Sequence, residues 1–133
     1  MKLWIITGSL LAALSVLLGA FGAHGLKSRV STADLYIFET GVKYQMYHAL
    51  GLMLIGFIGF HYRQDILTIP AYLLLTGTFI FSGSLYILVL TNIRWFGAVT
   101  PVGGICLVLG WILLSYNIYL SLIHISEPTR PGH

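Results

Sequence analysis

The distribution of charge constrains this chain more than any other feature. Only 8% of its 133 residues are Asp, Glu, Lys or Arg, and Lys27, Arg29, Asp34, Glu39 and Lys43 all fall between Ala20 and Gly51. A water-soluble domain carries about 25% charged residues, and one of this size buries only about two-thirds of its surface. With 57% hydrophobic residues and a mean hydropathy of +0.88, the chain has more apolar side chain than such a core can hide. A bilayer removes that constraint. The expected architecture is all-α: a four-helix transmembrane bundle, with an interfacial amphipathic helical extension before the second span.

The apolar runs locate the spans. Leu3–Ala23 is uncharged and long enough to cross about 30 Å of hydrocarbon as a helix. Met1-Lys2 resembles the start of a signal peptide, but the run exceeds the roughly 7–15 apolar residues of such a segment, so it reads as a retained first span. Ser15, Gly19 and Ala23, and likewise Gly8 and Ala12, recur four apart. That spacing lets helix backbones approach closely in lipid. Ser31-Thr32-Ala33-Asp34 offers a hydroxyl cap and a first-turn acid, and predicts a helix running to about Tyr62. Only Tyr44–Tyr62 of it needs to lie in hydrocarbon. Pro70 suits the beginning of a third span, and Trp95 and Phe96 suit an interfacial aromatic belt before a fourth. The predicted spans are 3–23, 44–62, 70–90 and 97–120, forming one membrane domain over residues 1–120.

Residues 121–133, SLIHISEPTRPGH, break the pattern. Pro128, Pro131 and Gly132 oppose continued helix, and the string resembles a translated sequencing-library adapter. It is expected to be a non-native or disordered tail.

The net charge of +3 comes from scattered cations with no run or stripe, which suits membrane flanks rather than nucleic acid. Lys27, Arg29, Lys43 and Arg94 lie in loops one and three, against Lys2, Arg63 and Arg130 on the other face. The positive-inside rule then makes loops one and three cytoplasmic. The lone cysteine, Cys106, sits in an apolar run and is expected to pack as a small hydrophobe.

His24, Glu39, Lys43, Gln45, Tyr47 and His48 form the candidate functional island. Ionisable groups inside a membrane mark ion and proton pathways. If loop one folds back, His24 and His48 reach similar depth near Glu39 and Lys43, an arrangement suited to a proton relay. The plainer reading has histidines at the headgroup level and Glu39–Lys43 as an i,i+4 pair worth a few tenths of a kcal/mol. Lys43 with Tyr44, Gln45 and Tyr47 suits an anionic headgroup or simple snorkelling. A helical wheel puts Tyr36, Glu39, Thr40, Lys43, Met46 and Tyr47 on one side, and Ile37, Gly41, Tyr44 and His48 on the other.

No HExxH or paired-Cys spacing appears, nor G-x-S-x-G, a P-loop or a dinucleotide fingerprint. No catalytic, cofactor or metal-binding residue is assigned, and the expectation is a protein that is not an enzyme. Gly19 and Ala23 in the first span, and Pro101, Gly103 and Gly104 in the fourth, are assigned to helix packing, with Thr100 as the cap before Pro101.

Four motifs occur together: Gly22–Leu26, Phe38–Gly51, Phe81–Tyr86 and Thr100–Gly104. In that order they resemble the family known as domain of unknown function 423, over about Leu3–Leu120. The resemblance implies a multi-pass protein of the bacterial inner membrane with four spans, and brings no reaction, substrate or cofactor with it. Two functions stay open. One is a non-enzymatic accessory or assembly protein acting through helix packing, as a homo-oligomer or with a membrane-protein partner in the lipid bilayer. The other is a small transporter or proton-coupled channel using His24, Glu39 and His48.

Overall fold

The computed structural model describes residues 1–126, and these are helical apart from short turns. Helix α1 spans Lys2–Phe21 and widens into a π-helical turn at Gly22–Leu26. Helix α2 spans Thr32–Ile58, α3 spans Asp65–Thr91, and a 3-10 turn at Arg94–Ala98 leads into α4, Thr100–Ser126. Short connections make neighbours antiparallel, and the closest packing is between successive helices: α1 on α2, α2 on α3, α3 on α4. Helices α2 and α3 are therefore the inner pair, and α1 and α4 the outer members.

The predicted boundaries move in several places. The second helix ends at Ile58 rather than Tyr62, because Gly59 and the turns at Phe60–Tyr62 close on the Ile55, Phe57 and Ile58 carbonyls. The fourth continues to Ser126 rather than stopping at Leu120, so the first residues of the expected tail are helical. Residues 127–133 of that tail lie outside the described ones. Pro70 is not at a helix start. It sits buried inside α3, whose first residue is Asp65. A proline there has no N–H for the carbonyl one turn back, and the Asn117 Nδ2 of α4 donates to that Ile66 carbonyl at 2.8 Å.

Three of the helical segments are long and apolar enough to cross a membrane: Lys2–Leu26, Asp65–Thr91 and Arg94–Ile123, with mean hydropathies of 2.1, 2.0 and 2.0. Helix α2 is as long as α3, at 27 residues, but Glu39, Lys43, Gln45 and His48 lower its hydropathy. The most polar of the four helices is thus one of the inner pair.

Burial falls into layers along the bundle. Leu52 and Ile55 of α2, Leu67, Ala71 and Leu74 of α3, and Leu107 and Leu114 of α4 form one apolar cluster. Leu26, Phe38, Leu88 and Val89 form a second, beneath loops one and three. Between them lies a polar layer containing Gln45, His48, Thr78, Ser82 and Ser84.

Glycines set the helix separations, though not quite those the spacing suggested. A Cβ on Gly8 would lie 2.5 Å from the Ala49 carbonyl oxygen, whereas one on Gly19 would meet only Val42, at 3.6 Å. Ala23 is exposed on the outer surface, so its assignment to helix packing is corrected. In α4, a Cβ on Gly103 would run into the backbone of Phe81, while one on Gly104 would find Phe81 no nearer than 3.8 Å. Pro101 opens the first turn of α4 but is itself exposed. Thr100 does not cap the helix; its hydroxyl donates to the Phe96 carbonyl at 3.3 Å and meets Ser84 Oγ at 2.6 Å. Overpacking of this kind costs about 1–3 kcal/mol. Gly103→Ala should lower detergent melting by that order, and Gly104→Ala should leave it nearly unchanged. Equal effects at the two positions would contradict the packing described here.

Candidate functional site

The polar layer is built on one face of α2. Gln45 is 3% exposed, and its amide is used at both ends. Nε2 donates to the Leu11 carbonyl of α1 at 3.0 Å, and Oε1 accepts from the Tyr86 hydroxyl of α3 at 2.7 Å. One side chain thus ties together three helices. Four residues earlier, the Gly41 carbonyl accepts from Ser82 Oγ of α3 at 2.7 Å. Gly41 has to be small, since a Cβ there would lie 2.8 Å from the Tyr86 ring on its way to Gln45.

His48 closes the layer on the α4 side. Its Nδ1 lies 2.7 Å from the Tyr44 carbonyl, and its Nε2 accepts from the Trp111 indole at 3.0 Å. Both partners have fixed polarity: a carbonyl only accepts and an indole N–H only donates. The imidazole is therefore the neutral tautomer with its proton on Nδ1. A second proton on Nε2 would face the indole N–H and break the contact. Gly51 makes the room, because a Cβ there would lie 2.9 Å from the Trp111 ring. An open, mostly apolar groove of about 630 Å³ runs beside this pair, with Tyr44, Phe81 and Gly104 in its lining.

The rest of the predicted island is not assembled with it. His24 is exposed in the π-helical turn. Gln45 lies level with Leu11, thirteen residues before His24, so at 1.5 Å rise per residue the two histidines are separated by roughly 20 Å along the bundle. The expectation of similar depth is corrected: antiparallel packing puts His48 in the polar layer and His24 at the loop end of the bundle. Glu39 and Lys43 are both exposed, and no Glu39–Lys43 ion pair forms; the described salt bridges are Arg63–Asp65 and Arg94–Asp34. Tyr47 is on the outer surface and its ring lies tilted against that of Tyr44, with centroids 5.6 Å apart. The wheel put the buried Gly41 and His48 on one side, but it put the exposed Tyr44 with them and did not single out Gln45 as a buried member. Among the described residues, no group of three His, Cys, Asp or Glu side chains has a metal-binding arrangement.

Two residues that sequence reasoning left apart form a clasp between loops one and three. Arg94 grips both carboxylate oxygens of Asp34, at 3.0 and 2.8 Å. Ser31 caps α2 as expected, accepting from the Asp34 backbone N–H at 3.1 Å. No local signal pairs Asp34 with a residue sixty positions away.

Tyr86 and Trp111 were likewise not picked out. Their signal was an aromatic with a polar tip inside an apolar run, which in a buried setting looks for a partner.

Two measurements follow from this geometry. Nitrogen-15 NMR of the bilayer-embedded protein at pH 7 should show His48 protonated at Nδ1 and bare at Nε2; a proton on Nε2 would contradict the assigned network. Hydrogen bonding to Arg94 holds the Asp34 carboxyl below its usual range and raises the guanidinium. A lowered folded pKa means that the clasp contributes above the ordinary Asp value and is lost as pH falls through the lowered one. The melting curves of wild type and Asp34→Asn should accordingly differ at pH 7 and converge in strong acid.

Comparison with known proteins fits this architecture. The family described as "Protein of unknown function (DUF423)" matches residues 18–104. A UPF0382 membrane protein of Staphylococcus haemolyticus is 48% identical over 90% of this chain and 97% of its own length. The UPF0382 membrane protein YwdK of Bacillus subtilis is 44% identical over 86% of this chain and 94% of its own. No solved structure matches. By the extent of both matches, the chain belongs to the DUF423 (UPF0382) family of membrane proteins.

Proposed function

We propose that the chain crosses the bacterial inner membrane four times, with loops one and three in the cytoplasm, and acts as a non-enzymatic accessory or assembly subunit through helix packing. Helix α2 counts as a span in this reading despite its lower hydropathy. Gln45 and His48 are turned inward and bonded to α1, α3 and α4, whereas Leu50, Leu54 and Phe57 are exposed on the outer surface. Lipid meets the exposed face of a helix, not its average. Polar groups satisfied inside the protein are what a hydrocarbon environment tolerates.

The observation that carries the packing role is Gly83. It lies well inside α3, where glycine costs about 1 kcal/mol relative to alanine. A Cβ built on it finds nothing within 4 Å among the described residues. Gly8 and Gly103 repay the same cost by admitting a neighbouring backbone; Gly83 has no such neighbour among the described residues. A helix of a second copy, or of another membrane protein, is the partner that would use the space.

The transporter alternative finds less support. Of its three proposed carriers, His24 and Glu39 are exposed at the loop end and His48 is locked between Tyr44 and Trp111.

Native mass spectrometry of the purified protein tests the packing role. Wild type should run as an oligomer or with a co-purifying membrane protein, and Gly83→Leu should shift it to the lone chain without lowering the melting temperature of that chain. A strictly monomeric wild type with no companion would overturn the proposal.

A further inference from the structure

Loops one and three enclose a second concavity, distinct from the Gln45–His48 layer. Its volume is about 570 Å³, inside the roughly 300–1,000 Å³ typical of ligand sites. Its lining is mixed: Phe21, Leu26 and Leu90 are apolar, and Arg29, Asn92 and Arg94 polar. The groove beside His48 has no cation in its lining; this cavity has two.

Its charge is favourable to an anion in spite of Asp34, which also lines it. Asp34 has both oxygens occupied by Arg94 and its side chain is only 14% exposed, while the Arg94 side chain remains 55% exposed. A guanidinium has five N–H donors, and the clasp uses two of them, so an outward edge is left free. Arg29 is exposed and makes no ion pair or side-chain hydrogen bond with another described residue. The lining therefore sums to one net positive charge: Arg29 and Arg94 against Asp34.

The placement decides between a soluble anion and an amphiphile. Phe21 ends α1 and Leu90 is one residue short of the end of α3, both helices apolar enough to cross a membrane. Both side chains are exposed. The cavity thus lies at the ends of two such helices, where hydrocarbon would give way to headgroups, with apolar side chains and unpaired donors together in its lining.

We infer that this cavity binds the phosphate headgroup of an anionic phospholipid. Arg29 and the free edge of Arg94 take the phosphate, and the first acyl carbons lie along Phe21 and Leu90. Basic side chains at this depth each strengthen binding to anionic lipid about fivefold.

Lipid retention on the full-length protein in detergent tests it, with phosphatidylglycerol and phosphatidylcholine offered together and retained lipid counted by native mass spectrometry. Phosphatidylglycerol should be retained at least about fivefold over phosphatidylcholine. Arg29→Gln should bring the ratio close to one with the melting temperature unchanged, and Arg29→Lys should keep most of the preference. Equal retention of the two lipids by wild type, or an undiminished preference in Arg29→Gln, would overturn the inference. So would inorganic phosphate alone raising the wild-type melting temperature as far as phosphatidylglycerol does, since the site would then be one for a soluble anion. If Arg29→Gln does not fold, the wild-type lipid ratio and the phosphate control still decide.

Discussion

A polar group buried among apolar helices has to find its partner inside the protein, and Gln45 is where this chain meets that demand most fully. Its amide joins the Leu11 carbonyl on one helix to the Tyr86 hydroxyl on another. Everything around it is shaped to permit this. Gly41 clears the path of the Tyr86 ring, and Ser82 ties the Gly41 carbonyl to α3. His48 and Trp111 repeat the device toward α4 with Gly51 making the space. Among the described residues, no buried side-chain nitrogen or oxygen is left without a partner. Apolar clusters lie above and below the layer, and hydrogen bonds between helices in membranes are individually worth about 0.6–1.7 kcal/mol.

This arrangement changes what the polar residues of α2 mean. Taken as a string, His24, Glu39, Lys43, Gln45, Tyr47 and His48 suggest one reactive constellation. Folded, they separate by face and by depth. Glu39, Lys43 and Tyr47 point outward, His24 stays at the loop end, and Gln45 and His48 turn inward as structural pins. A histidine held between a carbonyl and an indole N–H keeps one tautomer, and moving a proton through it requires Trp111 to let go. The groups free to meet a ligand are elsewhere, on the rim made by Arg29 and Arg94.

Much of the frame was legible from the chain alone. Long uncharged runs marked α1, α3 and α4, and Ser31 with Asp34 marked the start of α2, because those signals are local: length, hydropathy and a cap. What was not legible depended on residues far apart in sequence. Pro70 looks like a helix start until Asn117 is seen covering the carbonyl it leaves open. Spacing by fours marked two ridges, Gly8 with Ala12 and Ser15 with Gly19 and Ala23, and only the fold shows that the closest contact with α2 falls at Gly8 rather than Gly19. Asp34 and Arg94 look like ordinary flanking charges until the third turn is folded over the first. The wheel saw that α2 has two sides; only the neighbours α1 and α3 determine that Gln45 belongs to the inner one.

The central claim is that the polar face of α2 serves as a structural tie between helices. A double-mutant cycle on Gln45→Leu and Tyr86→Phe, measured as unfolding free energy in detergent, tests it most directly. A coupling of about 0.6–1.7 kcal/mol is the predicted result. Additive single effects, with no coupling between the two side chains, would contradict it.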